Sequence, residues 1–243
     1  MKMVKNREII YSDLKYPEDF IDKIICGDCL DLIKLIPNNS IDIVLTDPPY
    51  GLKKEVISGD ADLNLFYKIL SECDRVLKDN SFFITFFSTK FLPCLFVNNP
   101  FNYFWQIVLY CPEGRVRSPI GYTKFMSCFI FKKGEPKIIC WNKDIFVDTP
   151  GRMVEPDEGY IDHPTPKPKH FIKEILKMFT KDNDLILDPF IGSGSTAVAC
   201  LQLNRKFIGF EIEEKYYKIA LERVQWALRP ALKESGKTIK IGR

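Results

Sequence analysis

The sequence predicts an α/β protein built on a doubly wound, mostly parallel sheet that carries a β-hairpin towards one end. Three observations predict it. Short apolar runs alternate with helical periods through both halves of the chain. One run, Asp184 to Asp188, leads directly into a glycine loop and an alanine-rich helix. Between Phe101 and Lys133 the alternation gives way to two β-rich segments around a polar connection, the pattern of a hairpin. At 243 residues, 46% hydrophobic and 28% charged, the chain reads as a single domain, 1–243, with a small insertion at about 134–162.

The elements follow in order. Ile21 to Asp28 reads as a short strand leading to a helix from Cys29 to Ile36, whose start Asp28 is placed to cap. Pro37-Asn38-Asn39-Ser40 is a turn. Ile41 to Thr46 is an apolar run expected as a buried strand, and it stops at Asp47-Pro48-Pro49-Tyr50-Gly51. Leu52 to Asp60 has neither period and reads as a loop able to close over a substrate; its Lys53 and Lys54 are read as solvated or as phosphate contacts. Leu63, Phe66, Ile69, Leu70, Cys73, Val76 and Leu77 fall at helical spacing, Lys78-Asp79-Asn80 reads as the stop, and Ser81 to Phe87 as the next strand. The hairpin strands are Phe101 to Tyr110 and Phe125 to Lys132. Arg115 and Arg117 sit in their connection, either facing solvent or meeting phosphate or guanine. Gly134 to Asp162 has no usable periodicity and is the expected place for target recognition. A helix over Lys169 to Phe179, the strand and glycine loop, a strand from Arg205 to Glu211 and a helix from Glu213 to Leu228 complete the chain.

Composition narrows the function classes. No apolar run is long enough to span a bilayer, and Met1 to Glu8 lacks a signal-peptide core, so a cytoplasmic protein without membrane partners is expected. A net charge of +3 neither establishes nor excludes a nucleic-acid partner. Of eight cysteines only Cys26 and Cys29 form a C-x-x-C pair, and nothing completes a zinc set, so reduced structural thiols and no metal are expected.

Two stretches carry chemistry. Consecutive prolines fix φ and remove two backbone donors while leaving carbonyls as acceptors. Asp47 and the Pro48 carbonyl then form an acceptor pair at a strand end, with the Tyr50 ring beside them, which suits a planar base bearing an exocyclic amine. Asp-Pro-Pro ending a strand in a plain surface turn remains the other reading. In the second stretch, Asp188-Pro189-Phe190-Ile191-Gly192-Ser193-Gly194-Ser195, glycines permit close backbone approach and the helix start offers N–H groups to a polar ligand. Glu211, 17 residues after Gly194, stands near the spacing at which an acid meets ribose hydroxyls. A charge favourable to the following helix dipole explains it equally. Asp28, at another strand end, is placed either to cap its helix or to accept from an adenine amine.

Gly27-Asp28, Asp47-Pro48-Pro49-Tyr50, His163-Pro164-Thr165-x-Lys167-Pro168, Asp188-Pro189-Phe190-x-Gly192-Ser193-Gly194 and Gly209-Phe210-Glu211 with Tyr216 occur in this order. The chain thereby resembles the β group of DNA amino-methyltransferases from about Ile24 to Val224. The resemblance implies a Rossmann-like, S-adenosylmethionine-dependent methyltransferase fold with circularly permuted motifs, the catalytic one first. It implies that Asp188 and the stretch Pro189 to Ser195 hold the methionine part of the cofactor, with Thr165 and Lys167 flanking it. It assigns Glu211 to the ribose and Asp28 to the adenine amine, and makes Asp47, Pro48, Pro49 and Tyr50 the catalytic corner. Pro166 departs from the family's usual Gln, and Ser195 from a frequent Thr.

The implied reaction is direct methyl transfer to the N6 amine of adenine in DNA, the base flipped out of the duplex. Asp as the first motif residue leans to adenine. Cytosine N4, an RNA substrate and a non-catalytic nucleic-acid-binding relative stay open as alternatives. DNA is the expected partner, and a companion restriction endonuclease is compatible with the resemblance without being written in the residues.

Overall fold

The computed structural model describes residues 11–49, 63–112, 116–118, 120–147, 154–155, 159–160 and 167–234. Tyr50, the expected closing loop 52–60, Arg115, His163, Thr165 and Pro166 lie outside them.

The first half runs β1 (Lys23–Cys26), α1 (Cys29–Leu32), β2 (Ile41–Thr46), α2 (Asn64–Val76), β3 (Leu77–Phe87) and α3 (Leu92–Leu95). The middle holds β4 (Asn102–Tyr110), β5 (Val116–Ser118), β6 (Gly121–Thr123), β7 (Phe125–Lys133), β8 (Ile145–Val147), β9 (Val154–Glu155) and β10 (Gly159–Tyr160). The last part holds α4 (Lys169–Phe179), β11 (Leu185–Asp188), α5 (Ser195–Gln202), β12 (Lys206–Glu211) and α6 (Glu214–Glu234).

Eight strands form one sheet in the order β1-β12-β11-β2-β3-β7-β4-β8. Every pairing is parallel except those that β7 makes with β3 and β4. The expected hairpin, β4 with β7, is present, and three-residue β8 is added beyond it as the last strand. A second, two-stranded ribbon of β5 and β6 stands in the hairpin's connection, and β9 pairs with β10 in a third.

Alternation along the strands sorts the core onto two faces. Ile43, Leu45, Ile84 and Phe86 belong to one cluster with Phe171, Ile172 and Ile175 of α4, Ala197 and Cys200 of α5 and Ala220 of α6. Val44, Phe83, Phe87, Leu187 and Phe210 belong to the other, with Leu32 of α1 and Phe66, Ile69, Leu70, Cys73 and Val76 of α2. The sheet is thus covered on both sides, as parallel sheets require.

The crossovers fix where a ligand can enter. From β11 the chain passes through α5 to β12 on one side, and from β2 through α2 to β3 on the other. The adjacent strands β11 and β2 therefore form the switch point of the sheet, the place beside whose carboxyl ends open α/β sheets gather ligands.

One boundary moved for a clear reason. β3 begins at Leu77, not Ser81: the helix ends at an extended Leu77 that pairs with Ile41. Asn80, at φ 57, supports the bend with a side-chain oxygen that accepts from the Glu135 N–H at 2.9 Å. Lys78-Asp79-Asn80 is thus part of the strand despite its turn-like composition. Among the described residues no helix is long and apolar enough to cross a membrane, and no cluster of three or more His, Cys, Asp or Glu stands ready for a metal. Cys26 and Cys29 are free thiols; burial pushes Cys26 up, and Cys29 up to about 12, so neither favours a thiolate.

Candidate active site

Four carboxylates stand at the carboxyl ends of four neighbouring strands. In sheet order they are Asp28 just past β1, Glu211 ending β12, Asp188 ending β11 and Asp47 just past β2. Adjacent strands lie about 4.8 Å apart, so the row extends roughly 15 Å and straddles the switch point between β11 and β2.

Three of the four acids are satisfied in the same local way. Asp28 Oδ1 accepts the N–H of Leu30 at 2.8 Å and caps α1. Asp188 Oδ1 accepts from Phe190 at 3.2 Å, and Glu211 Oε1 from Glu213 at 2.8 Å. Each takes the amide two residues ahead, the turn that acids make at strand ends. Asp47 has no such amide. The residue two ahead is Pro49, which has no N–H, and Pro48 before it has none either. Its Oδ2 is ion-paired to Lys167 Nζ, whereas Oδ1 is buried and has no hydrogen-bond partner among the described residues.

Asp188 is the most enclosed of the row, 4% exposed. Besides Phe190 it is held by the hydroxyls of Thr46, 2.9 Å from Oδ1, and Thr196, 2.7 Å from Oδ2. Burial nevertheless wins over these three donors and pushes its carboxyl up to about 7, with the nearby charge of Asp47 adding to the rise. Burial also pushes Glu211 upward, against the N–H groups of Glu213 and Gly192.

Glycine lets the loop after β11 turn tightly against α6. Gly192 and Gly194 take φ of 53 and 83, and a Cβ on Gly194 would stand 3.0 Å from the Cβ of Ala220. Underneath, buried Arg223 of α6 directs Nη1 to the Ser193 carbonyl at 2.7 Å and to the hydroxyls of Ser193 and Ser195, both at 3.1 Å. Pro189 is buried, Phe190 half-buried, and Ile212, next to Glu211, is 51% exposed.

The family profile described as DNA methylase, N6_N4_Mtase, matches residues 41–124 and 132–222. This chain belongs to the N6/N4 DNA methylase family. Its relatives include the "Putative methylase YubD" of Escherichia coli K12, 30% identical over 84% of this chain and 90% of that protein. The "DNA adenine methyltransferase YhdJ" of the same organism is 28% identical over 89% of this chain and 87% of its own length. Solved structures share the fold. M1.HpyAVI in its SAM complex aligns with TM-score 0.65 at 23% identity, over 83% of this chain and 98% of that one. The cytosine-N4-specific PvuII DNA methyltransferase aligns with TM-score 0.69 at 20% identity, over 83% and 85%. The methyl donor of the family is S-adenosylmethionine.

Placed on this DNA methylase, the sequence-derived residues fall into two groups. Asp28, Glu211, Asp188, Pro189, Phe190, Gly192, Ser193, Gly194 and Ser195 lie along β1, β12 and β11, whereas Asp47, Pro48 and Pro49 lie at β2. Lys167, expected beside the first group, meets the second through Asp47. Sequence reasoning missed Thr46, Thr196, Arg223 and Tyr11, whose hydroxyl accepts the Asp28 N–H at 3.2 Å. Only Arg223 left a trace: it lies three residues after buried Ala220 and seven after buried Tyr216, a cation on the apolar stripe of α6.

Proposed function

We propose that this DNA methyltransferase acts on the exocyclic N6 amine of adenine. The observation that carries the reading is the buried Oδ1 of Asp47, an acceptor that Pro48 and Pro49 cannot satisfy from within the chain. An amine N–H of a base entering the site fills that need.

The row of acids fits the donor molecule. S-adenosylmethionine carries an ammonium, ribose hydroxyls and an adenine amine along its length, and Asp188, Glu211 and Asp28 offer acceptors at three successive strand ends in that order. The loop Pro189 to Ser195, with Gly192 and Gly194 at positive φ, receives the methionine part, together with Thr165. When bound, the cofactor supplies an electrophilic sulfonium methyl.

The chain's own residues then orient and accept. A target base reaches the site only when flipped out of the duplex. Asp47 Oδ1 and the Pro48 carbonyl receive the amine's two N–H groups and hold its nitrogen towards the methyl donor, with the Tyr50 ring against the base. As the nitrogen takes the methyl it gains a fourth bond and becomes positive; the Asp47 charge stabilises that change, and loss of one N–H proton then restores a neutral amine. Segment 134–162, which supplies β8 and the β9–β10 ribbon, reads target sequence, and the connection bearing Arg115 and Arg117 meets the DNA backbone.

Adenine is favoured by Asp as the first motif residue and by the similarity to YhdJ. The N4 amine of cytosine is the second reading, supported by the likeness to the PvuII enzyme. Incubation with S-adenosylmethionine and unmethylated mixed-sequence DNA, followed by digestion and mass spectrometry of the nucleosides, decides between them. N6-methyladenine is expected; N4-methylcytosine overturns the base assignment and keeps the site.

A further inference from the structure

We propose that Lys167 is a positioning residue for Asp47: it holds the carboxylate by Oδ2 so that Oδ1 stays turned to the incoming amine. The proposal rests on the reading of Asp47 given above and deepens it.

Four features of the site carry it. Lys167 and Asp47 are ion-paired with side chains 14% and 24% exposed, so water competes little for either. The lysine stem is restrained at both ends, since Pro168 follows it at the N-terminal boundary of α4, and its Nζ lies 5.3 Å from the centre of the Phe86 ring. The two oxygens of Asp47 differ as a fixed carboxylate requires, one charge-paired and one buried without a partner among the described residues. Finally, Pro49 removes the local turn that holds the other three acids, so Asp47 has lost its usual means of orientation. A cation arriving from 120 residues away replaces it on the oxygen that the amine does not need.

Among the described residues, the charged and titratable groups facing Asp47 are Asp188, Cys128 and Lys167. Asp188 comes from β11 and Cys128 from β7; burial pushes both upward, and the charge of Asp47 adds to the rise. Lys167 is the cation among them. It thus also keeps a second carboxylate tolerable beside Asp188. Neutral lysine mimics lack this effect, and a freely rotating carboxylate loses alignment with the base, a displacement that costs about 10- to 100-fold in rate.

The test compares Lys167→Met, Lys167→Arg, Asp47→Ala and the Lys167→Met/Asp47→Ala double variant in single-turnover methylation of mixed-sequence DNA at saturating cofactor. S-adenosylmethionine Kd is measured alongside by calorimetry. We expect Lys167→Met to lower the single-turnover rate about 10- to 100-fold with cofactor Kd changed less than about threefold. Lys167→Arg should recover most of that loss, and the double variant should be no slower than Asp47→Ala alone. A weakened cofactor Kd with an unchanged saturated rate would overturn the proposal and return Lys167 to the cofactor. A faster Lys167→Met would make the lysine a plug, and an arginine variant no better than methionine would remove the need for a cation; either result also overturns it. An Asp47→Ala protein as fast as the parent would instead sink the reading of Asp47 itself.

Discussion

Asp188 and Asp47 follow neighbouring strands, yet the chain treats them in opposite ways. Asp188 is closed off by two threonine hydroxyls and the Phe190 N–H, and is too buried to hold its charge easily. Asp47 is gripped on one oxygen by Lys167, and its other, buried oxygen has no partner among the described residues. The difference originates in the backbone two residues on: Phe190 has an N–H to give and Pro49 has none. On the proposed reading, Asp188 belongs to a pocket that binds the same donor molecule every cycle and can be satisfied from within, whereas Asp47 belongs to a corner that accepts a new hydrogen bond at each turnover and has to be kept short of one.

The strongest way to break this contrast is Asp47→Ala. The rate of methyl transfer should fall about 1000-fold, the scale of losing a group that stabilises developing charge, while cofactor Kd stays within about twofold. Equal losses in both measurements would show that the two acids do not have separate tasks.

A subtler change sharpens it. Pro49→Ala restores an N–H where Asp28, Asp188 and Glu211 each have one, and the new amide should turn Asp47 towards itself. We expect about tenfold slower transfer, measured as single-turnover rate, with thermal stability unchanged or slightly raised because a buried oxygen gains its donor. An unaltered rate would mean that the missing amide has no part in catalysis.

The smallest effect concerns Asp188 and pH. Its carboxyl is held up to about 7 in the folded chain and near 4 when unfolded, so between these values only the unfolded chain readily ionises. Raising pH through that window therefore lowers the stability of the cofactor-free protein. Against Asp188→Asn, which carries no charge, the parent should lose a few degrees of Tm between about pH 4 and 7, with a constant gap above. A gap that stays flat across the window would show that Asp188 ionises as an exposed acid does.

These contacts explain how far the sequence could be read. The span of α4 and the strand ending at Glu211 were legible because periodicity and terminators act over a few residues. So were the strand ends carrying all four acids. The Thr46 to Asp188 bond joins residues 142 positions apart, and no local pattern announces it. Lys167 was legible as part of a motif but not as the partner of Asp47, since the motif's order says nothing about which acid lies opposite. β8 is three residues with no alternation to find, held in place by its pairing with β4. The Cys26 and Cys29 spacing, conversely, says nothing of their surroundings: both thiols are free and raised by burial, which only the packing shows.

The pairing of β1 with β12 sets a timetable for synthesis. Asp22 and Phe207, beside that junction and 185 positions apart, bond to each other, so the edge that places Asp28 and Glu211 side by side cannot close until the later strand has left the ribosome. At 5–20 residues per second that interval is roughly 10–40 s, during which β1 has its apolar residues in the chain but no neighbour to cover them. The corner at Asp47 emerges early in that interval and Lys167 late. On the proposed reading a nascent chain thus carries its acceptor before it has Lys167 to orient it, and the row of acids is complete only once β1 and β12 have met.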